Sequence, residues 1–276
     1  MDAAFWQAIV DADYAVPEGY SARELMPELV SYLGSTDPQL RDHFAYGIMV
    51  RWIVRQDYTP DDLRPLVEQM IPNLARGVGE QGTDSVFLRS FSALMLAASV
   101  YYDNHRQPYL TPDEFRRVFD AVLAYLRDEQ DVRGFVAGQG WAHSVAHTAD
   151  LVDELALSRH ADAHDLEQIL DAIAAKVMTT ASPLLFNEDD RLTVAVLSAL
   201  KRELMPRAAV ERWLNTLADL PAALGHGEQF SDPARHSRYL NTKNLLRSLL
   251  VRLLDDDLPD TLRALVPDVR AALQRF

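Results

Sequence analysis

The chain has 276 residues, 48% of them hydrophobic and 25% charged, which is enough apolar material for a sizeable core and too much for a disordered polymer. A formal net charge of -14 repels a nucleic-acid polyanion at long range, so nucleic acid is not an expected partner. The absence of cysteine removes disulfides, thiolate nucleophiles and cysteine-based zinc sites together, leaving His, Asp and Glu as the side chains to hold any metal.

In chain order, the opening MDAAFWQAIVDADYAV lacks the basic start and small-residue cleavage site of a signal peptide. No uninterrupted apolar run reaches the length of a membrane span, so the expectation is a cytoplasmic protein without a membrane partner. The stretch STDPQLRDHFAYGIMVRWIVRQ predicts a helix starting at Thr36 or Asp37. TPDDLRPLVEQMIPNLARG and TPDEFRRVFDAVLAYLRDE each pair an N-capping threonine, Thr59 or Thr111, with Pro60 or Pro112 at the first helical position and acids behind it. Gly77 reads as the C-cap of the first of these. Breaks near Gly34, Tyr58, Gly77 to Asp84, Asp103 to Pro108, Gln130 to Gly140, Ser158 to Ala163, Ser182 to Asn187 and Gly225 to Pro233 separate about a dozen helices. No segment sustains a two-residue alternation.

The fold class expected is therefore all-α. Alternate helices starting near 37, 85, 141, 189 and 239 recur at roughly 50 residues, the length of a helical hairpin with longer links, which predicts an irregular HEAT/armadillo-like α-solenoid of paired antiparallel helices. DHFAYGIMV, RSFSALMLA, HSVAHTADL and RLTVAVLSA align with a polar first position, so Asp42, Arg89, His143 and Arg191 are expected as neighbours on one groove, with Tyr46 nearby. No linker of disordered composition divides the chain, and a single domain over 1–276 is expected.

GQGWAHSVAHTADLVDELA, residues 138–156, carries the least ordinary chemistry. At about 100° per residue, His143, His147, Asp150 and Glu154 share one face, opposite an apolar arc of Trp141, Val145, Ala149, Val152, Leu155 and Ala156. On that projection the two histidines point away from packing. Two imidazoles at i, i+4 with a carboxylate one turn on are metal-ligand types, although Ser144 and Ala146 between them supply no general base. His160 and His164 repeat the spacing across a turn and read as surface residues. Before this helix, Asp128, Glu129 and Asp131 precede Arg133 and a glycine-rich loop, without the GxGxxG or GKS/T pattern of a phosphate cradle.

The segments LRDHFAYGIMVRWI, TDSVFLRSFSALML, RGFVAGQGWAHSVAHTADLVDELA, NEDDRL and NTKNLLRSLL resemble the bacterial family catalogued as domain of unknown function 2785, over about Leu33 to Leu254. GWAHxxAHxAD is the most specific part of that resemblance, which carries over no established catalytic residue or cofactor and leaves function open.

The leading functional expectation is a binding module without chemistry of its own, taking a protein partner or small ligand in a polar groove formed by Tyr46, Arg89, Arg133, His143, His147, Asp150 and Arg191. The alternative is a metal-assisted hydrolase holding a divalent metal on His143, His147 and Asp150, with Glu154 or Asp131 as base. A metal-free pocket for a small anion on Arg89, Arg133 and Arg191 is the third reading.

Overall fold

The computed structural model describes every residue of the chain except 226 and 256, and it is mostly helical. Two compact units divide it, Met1–Glu154 and Leu155–Phe276.

The first unit opens with α1 (Ala3–Asp11) and α2 (Ala22–Tyr32), the latter started by a capping box between Ser21 and Glu24. A wide π-helical stretch, Gln39–Tyr46, follows where the sequence predicts an ordinary helix start. Its signature is the Gly47 amide reaching back five residues to the Asp42 carbonyl, and it runs straight into α3 (Gly47–Arg55). The helices α4 (Pro60–Asn73) and α6 (Pro112–Asp128) begin as expected, with Thr59 and Thr111 each closing a capping box, on Asp62 and Glu114, and proline in the first turn. Gly77 is not the C-cap of α4: that helix ends at Asn73, and Gly77 sits in the following turn with φ of 67°.

Between them α5 (Ser85–His105) passes the expected break at Asp103 and forms the centre of the unit. It is long and apolar enough to cross a membrane, yet 83% of its apolar window is buried inside the protein, which marks a core helix. Burial on all sides requires its hydroxyls to find partners: Ser92 accepts from Asn73 at 3.1 Å and Ser99 donates to the Met95 carbonyl at 2.8 Å.

Among the described residues one short hairpin interrupts the helices, β1 (Phe135–Val136) against β2 (Gly140–Trp141), antiparallel with Phe135 opposite Trp141. The chain then enters α7 (Ser144–Leu157), which starts three residues later than the sequence predicts.

Contacts fix the helix directions inside this unit. Arg41 lies over Phe87, Tyr46 meets Phe91 edge-on, and Arg106 Nε donates to the Val54 carbonyl, so α3 and its π-helical lead run parallel to α5. Ser90 meets His147 and Asn104 meets Glu154, so α7 also runs parallel to α5. Asn73 with Ser92, and the Arg76 carbonyl with Arg89, make α4 and α5 an antiparallel hairpin.

The second unit contains α8 (Ala163–Thr179), α9 (Glu188–Lys201), α10 (Arg207–Ala218), α11 (Leu220–Leu224), α12 (Pro233–Leu253), α13 (Asp260–Arg263) and α14 (Val266–Leu273). A capping box joins Asp162 and Asp165 at the start of α8. Arg212 pairs with Glu167 and Trp213 Nε1 donates to the Leu170 carbonyl, setting α10 parallel to α8. Asn241 accepts from the Leu184 amide while Ser248 and Arg252 bond Asp190, setting α12 parallel to α9.

Candidate functional site

The histidine segment is built from its glycine-rich approach. Gly140 has φ of 80°, and a Cβ there would stand 2.9 Å from Pro38 Cβ and 3.1 Å from Arg41 Nη2, so the hairpin closes on its neighbours only with glycine. Arg41 is fully buried beneath it. Its guanidinium donates to the Gln139 and Ser35 carbonyls, both at 2.7 Å, pairs with Asp42, and lies 4.1 Å from the Phe87 ring centroid. This buried cation clamps the hairpin onto α5. The Ala142 and His143 amides continue the pairing by donating to the Gly134 and Arg133 carbonyls.

Here the helical projection fails. His143 lies outside α7 in a left-handed conformation, φ 49°, so its side chain does not follow the helix geometry from which the stripe was drawn. His147 is 6% exposed and sits against α5 rather than away from packing. Its Nδ1 is 2.7 Å from Ser90 Oγ, whose hydroxyl donates to the Ala142 carbonyl. Rings then follow one another: Trp141 stacks on His143 at 4.2 Å, His143 meets His147, and His147 meets Phe91, which meets Tyr46. Among the described residues no group of three or more His, Asp or Glu side chains is placed to hold a metal ion, so the expected set of His143, His147 and Asp150 is not assembled.

Two of the arginines proposed for a groove are engaged elsewhere. Arg89 is fully buried, its Nε and Nη2 donating to the two Glu129 oxygens at 2.5 and 3.1 Å and its Nη1 to the Arg76 carbonyl and Ser85. Burial works against the guanidinium charge, but the Glu129 carboxylate outweighs it and holds Arg89 above its usual range. Arg133 forms a fork with Asp131 at 2.7 to 3.1 Å and donates to the Thr83 carbonyl, while Asp131 also accepts from the Gly82 amide. Asp131 is thus a buried loop anchor and not an open base. Arg191 lies half-buried in the first turn of α9, in the second unit.

Tyr46 and Asp150 do come together. They line a groove of about 340 Å³ between α3, α5 and α7, with Val50 and Val54 beside Tyr46, Leu94, Ala97, Ala98 and Tyr101 from α5, and Asp153 and Glu154 beside Asp150. Positions 94, 97, 98 and 101 follow i, i+3, i+4, i+7 spacing on one face of α5, and two alanines in its middle lower the floor. Glu154 accepts from Asn104 Nδ2 at 2.9 Å and meets His105 Nε2 at 3.1 Å. Burial raises the Glu154 carboxyl above the ordinary glutamate range, with Asn104 and His105 opposing and the Asp153 charge adding to the rise.

The sequence model of the family described as protein of unknown function, DUF2785, matches residues 74–251. The chain belongs to this family. No curated protein and no solved structure matches it. The DUF2785 match covers the hairpin and also α5 and α7, the two helices that supply the floor and acidic wall of the groove, whereas Tyr46, Val50 and Val54 precede it. It also covers α9 and most of α12, which flank a larger cleft of about 780 Å³ in the second unit. Lys201, Arg247 and Arg252 alternate there with Asp189, Asp190 and Asp255, and Asp190 already bonds Arg252 and Ser248, so that cleft presents no dominant charge.

The sequence reading missed Tyr101, Asp153, Asn104 and His105. Asp153 was legible as a neighbour of Asp150 at i+3, but the choice between a solvent face and a groove face depends on α3 and α5, which local spacing does not encode.

Proposed function

We propose that this protein is a binding module that holds a small ligand in the groove between α3, α5 and α7 and performs no chemistry on it. The observation that carries the reading is the groove itself, about 340 Å³ with an apolar floor and a few convergent polar groups on one wall. Of the reactive pairs near it, Ser90 with His147 is buried and committed to the Ala142 carbonyl, which favours a structural role for that pair. The metal-assisted hydrolase and the anion pocket draw less support, because Arg89 and Arg133 are neutralised by Glu129 and Asp131 and His143 leaves the helix.

The same proposal includes the finer architecture: helical hairpins stacked as an irregular HEAT/armadillo-like solenoid, working as one cytoplasmic domain. The parallel runs of α3, α5 and α7, and of α9 with α12, support this arrangement within each unit. A single calorimetric unfolding transition is the expected signature of one domain, and two separate transitions would remove that part of the reading.

Thermal-shift screening with a library of small amphipathic molecules tests the groove. Ligands that stabilise the native chain should lose their effect on Val50→Trp, whose added ring fills the groove from a half-exposed position. Stabilisation that survives Val50→Trp for every ligand found would place binding elsewhere and overturn the proposal.

A further inference from the structure

The groove has two unlike walls. Tyr46, Val50 and Val54 form an apolar side, and Asp150, Asp153 and Glu154 form a side of carboxylates, one helical turn from first to last. Between them the floor from Leu94 to Tyr101 runs about 10 Å along α5. Resting on the groove reading above, we infer that the ligand is a small organic amine: an elongated apolar body of roughly a dozen heavy atoms carrying an ammonium group.

The apolar floor and valine wall reward a hydrocarbon or aromatic body by removing it from water. The opposite wall offers acceptors and negative charge. An ionised carboxylate has about four lone-pair positions, so the hydrogen bonds each already makes leave capacity for an ammonium donor. Glu154 shows this directly, accepting from Asn104 and meeting His105 while its side chain stays 14% exposed. Partial burial strips water from these carboxylates, and a cation restores the lost solvation, whereas an anion meets charge of its own sign and a neutral alcohol supplies one weak donor. At the far end the Arg106 Nε donates to the Val54 carbonyl, and its guanidinium lies 5.5 Å from the Tyr101 ring centroid. The tyrosines at the two ends add ring faces suited to an ammonium or an aryl group.

Titration calorimetry of the full chain with phenylbutylammonium, phenylbutanol and phenylbutanoate separates charge from shape, since the three share one apolar body. The ammonium should bind on the order of tenfold more tightly than the alcohol, and the carboxylate most weakly. Asp150→Asn should reduce that preference while leaving alcohol binding in place. Val50→Trp should weaken all three, and Val54→Trp serves as a second filling variant should the first fail to fold. If the alcohol binds as tightly as the ammonium and the filling variants still abolish both, the amine inference falls while the groove reading stands. If none of the three binds, or the filling variants change nothing, both fall.

Discussion

His147 Nδ1 faces Ser90 Oγ at 2.7 Å, and the Ser90 hydroxyl proton is committed to the Ala142 carbonyl. A hydroxyl has one proton, so Nδ1 carries the hydrogen of the second bond and His147 is fixed as the Nδ1–H tautomer when neutral. The triplet ties α5 to both the segment leading into α7 and that helix's first turn. A residue that the helical projection places away from packing thus becomes a joint in the core.

The stability of His147 variants follows. His147→Ala removes a buried ring and leaves Ser90 without one partner, at a cost of about 2 to 4 kcal/mol. Ser90→Ala leaves a buried imidazole N–H without its acceptor and costs about 1 to 3 kcal/mol. Urea denaturation of the two single variants and the double variant should reveal coupling of at least about 0.5 kcal/mol; strict additivity would refute the bond as a stabilising link.

The parts of the fold that were legible in the sequence are those with local causes. Thr59 with Asp62 and Thr111 with Glu114 close capping boxes through residues three apart, and Pro60 and Pro112 behind them suit the first turn, where no backbone N–H is needed. The site was less legible because its decisive relationships are long-range. Arg89 stands where a groove residue was expected, but its carboxylate partner is 40 positions away. Likewise His143 is taken out of the helix by pairing of its amide with Arg133, a tertiary constraint that overrides the 3.6-residue period. Asp150 and Tyr46 line one groove because each lies on a helix face whose neighbours are parallel helices.

The Arg89–Glu129 pair should behave as a buried ion pair in mutagenesis. Both side chains are almost wholly excluded from solvent, so Arg89→Met strands a carboxylate beside α5 and is expected to cost about 3 to 5 kcal/mol. Adding Glu129→Leu should recover a large share of that loss, because the uncompensated charge disappears with its partner. Guanidinium unfolding midpoints provide the comparison, and a double variant no more stable than Arg89→Met would contradict the assignment.

Glu154 predicts a pH dependence of definite sign. Its folded carboxyl lies above the ordinary glutamate value of 4.5, chiefly through burial, so the fold favours the protonated form. Its contribution to stability is fully present below pH 4.5 and is lost as pH rises through the folded value. Glu154→Gln mimics the neutral acid without that loss. Relative to the native chain it should therefore be more stable at neutral pH, with the advantage vanishing on acidification below the ordinary glutamate range. Melting temperatures of the two proteins across that interval decide the matter: a difference independent of pH would show that the burial of this carboxylate has no energetic consequence.

Gly138 and Gly140 offer an internal control for the hairpin that carries Trp141. Both have positive φ, 77° and 80°, so alanine at either position meets the same left-handed backbone penalty of about 1 kcal/mol. Their surroundings differ. A Cβ on Gly138 meets open space, whereas one on Gly140 approaches Pro38 and the Arg41 guanidinium at about 3 Å. Arg41 has little room to withdraw, since it is buried between the Ser35 and Gln139 carbonyls and the Phe87 and Phe91 rings. Gly140→Ala should thus cost about 1 to 3 kcal/mol beyond Gly138→Ala through overpacking. It should also alter the near-ultraviolet signal of Trp141, whose stacking on His143 depends on where the hairpin sits. Equal losses from the two substitutions would mean that the clamp yields freely, and that Arg41 does not fix the approach to α7.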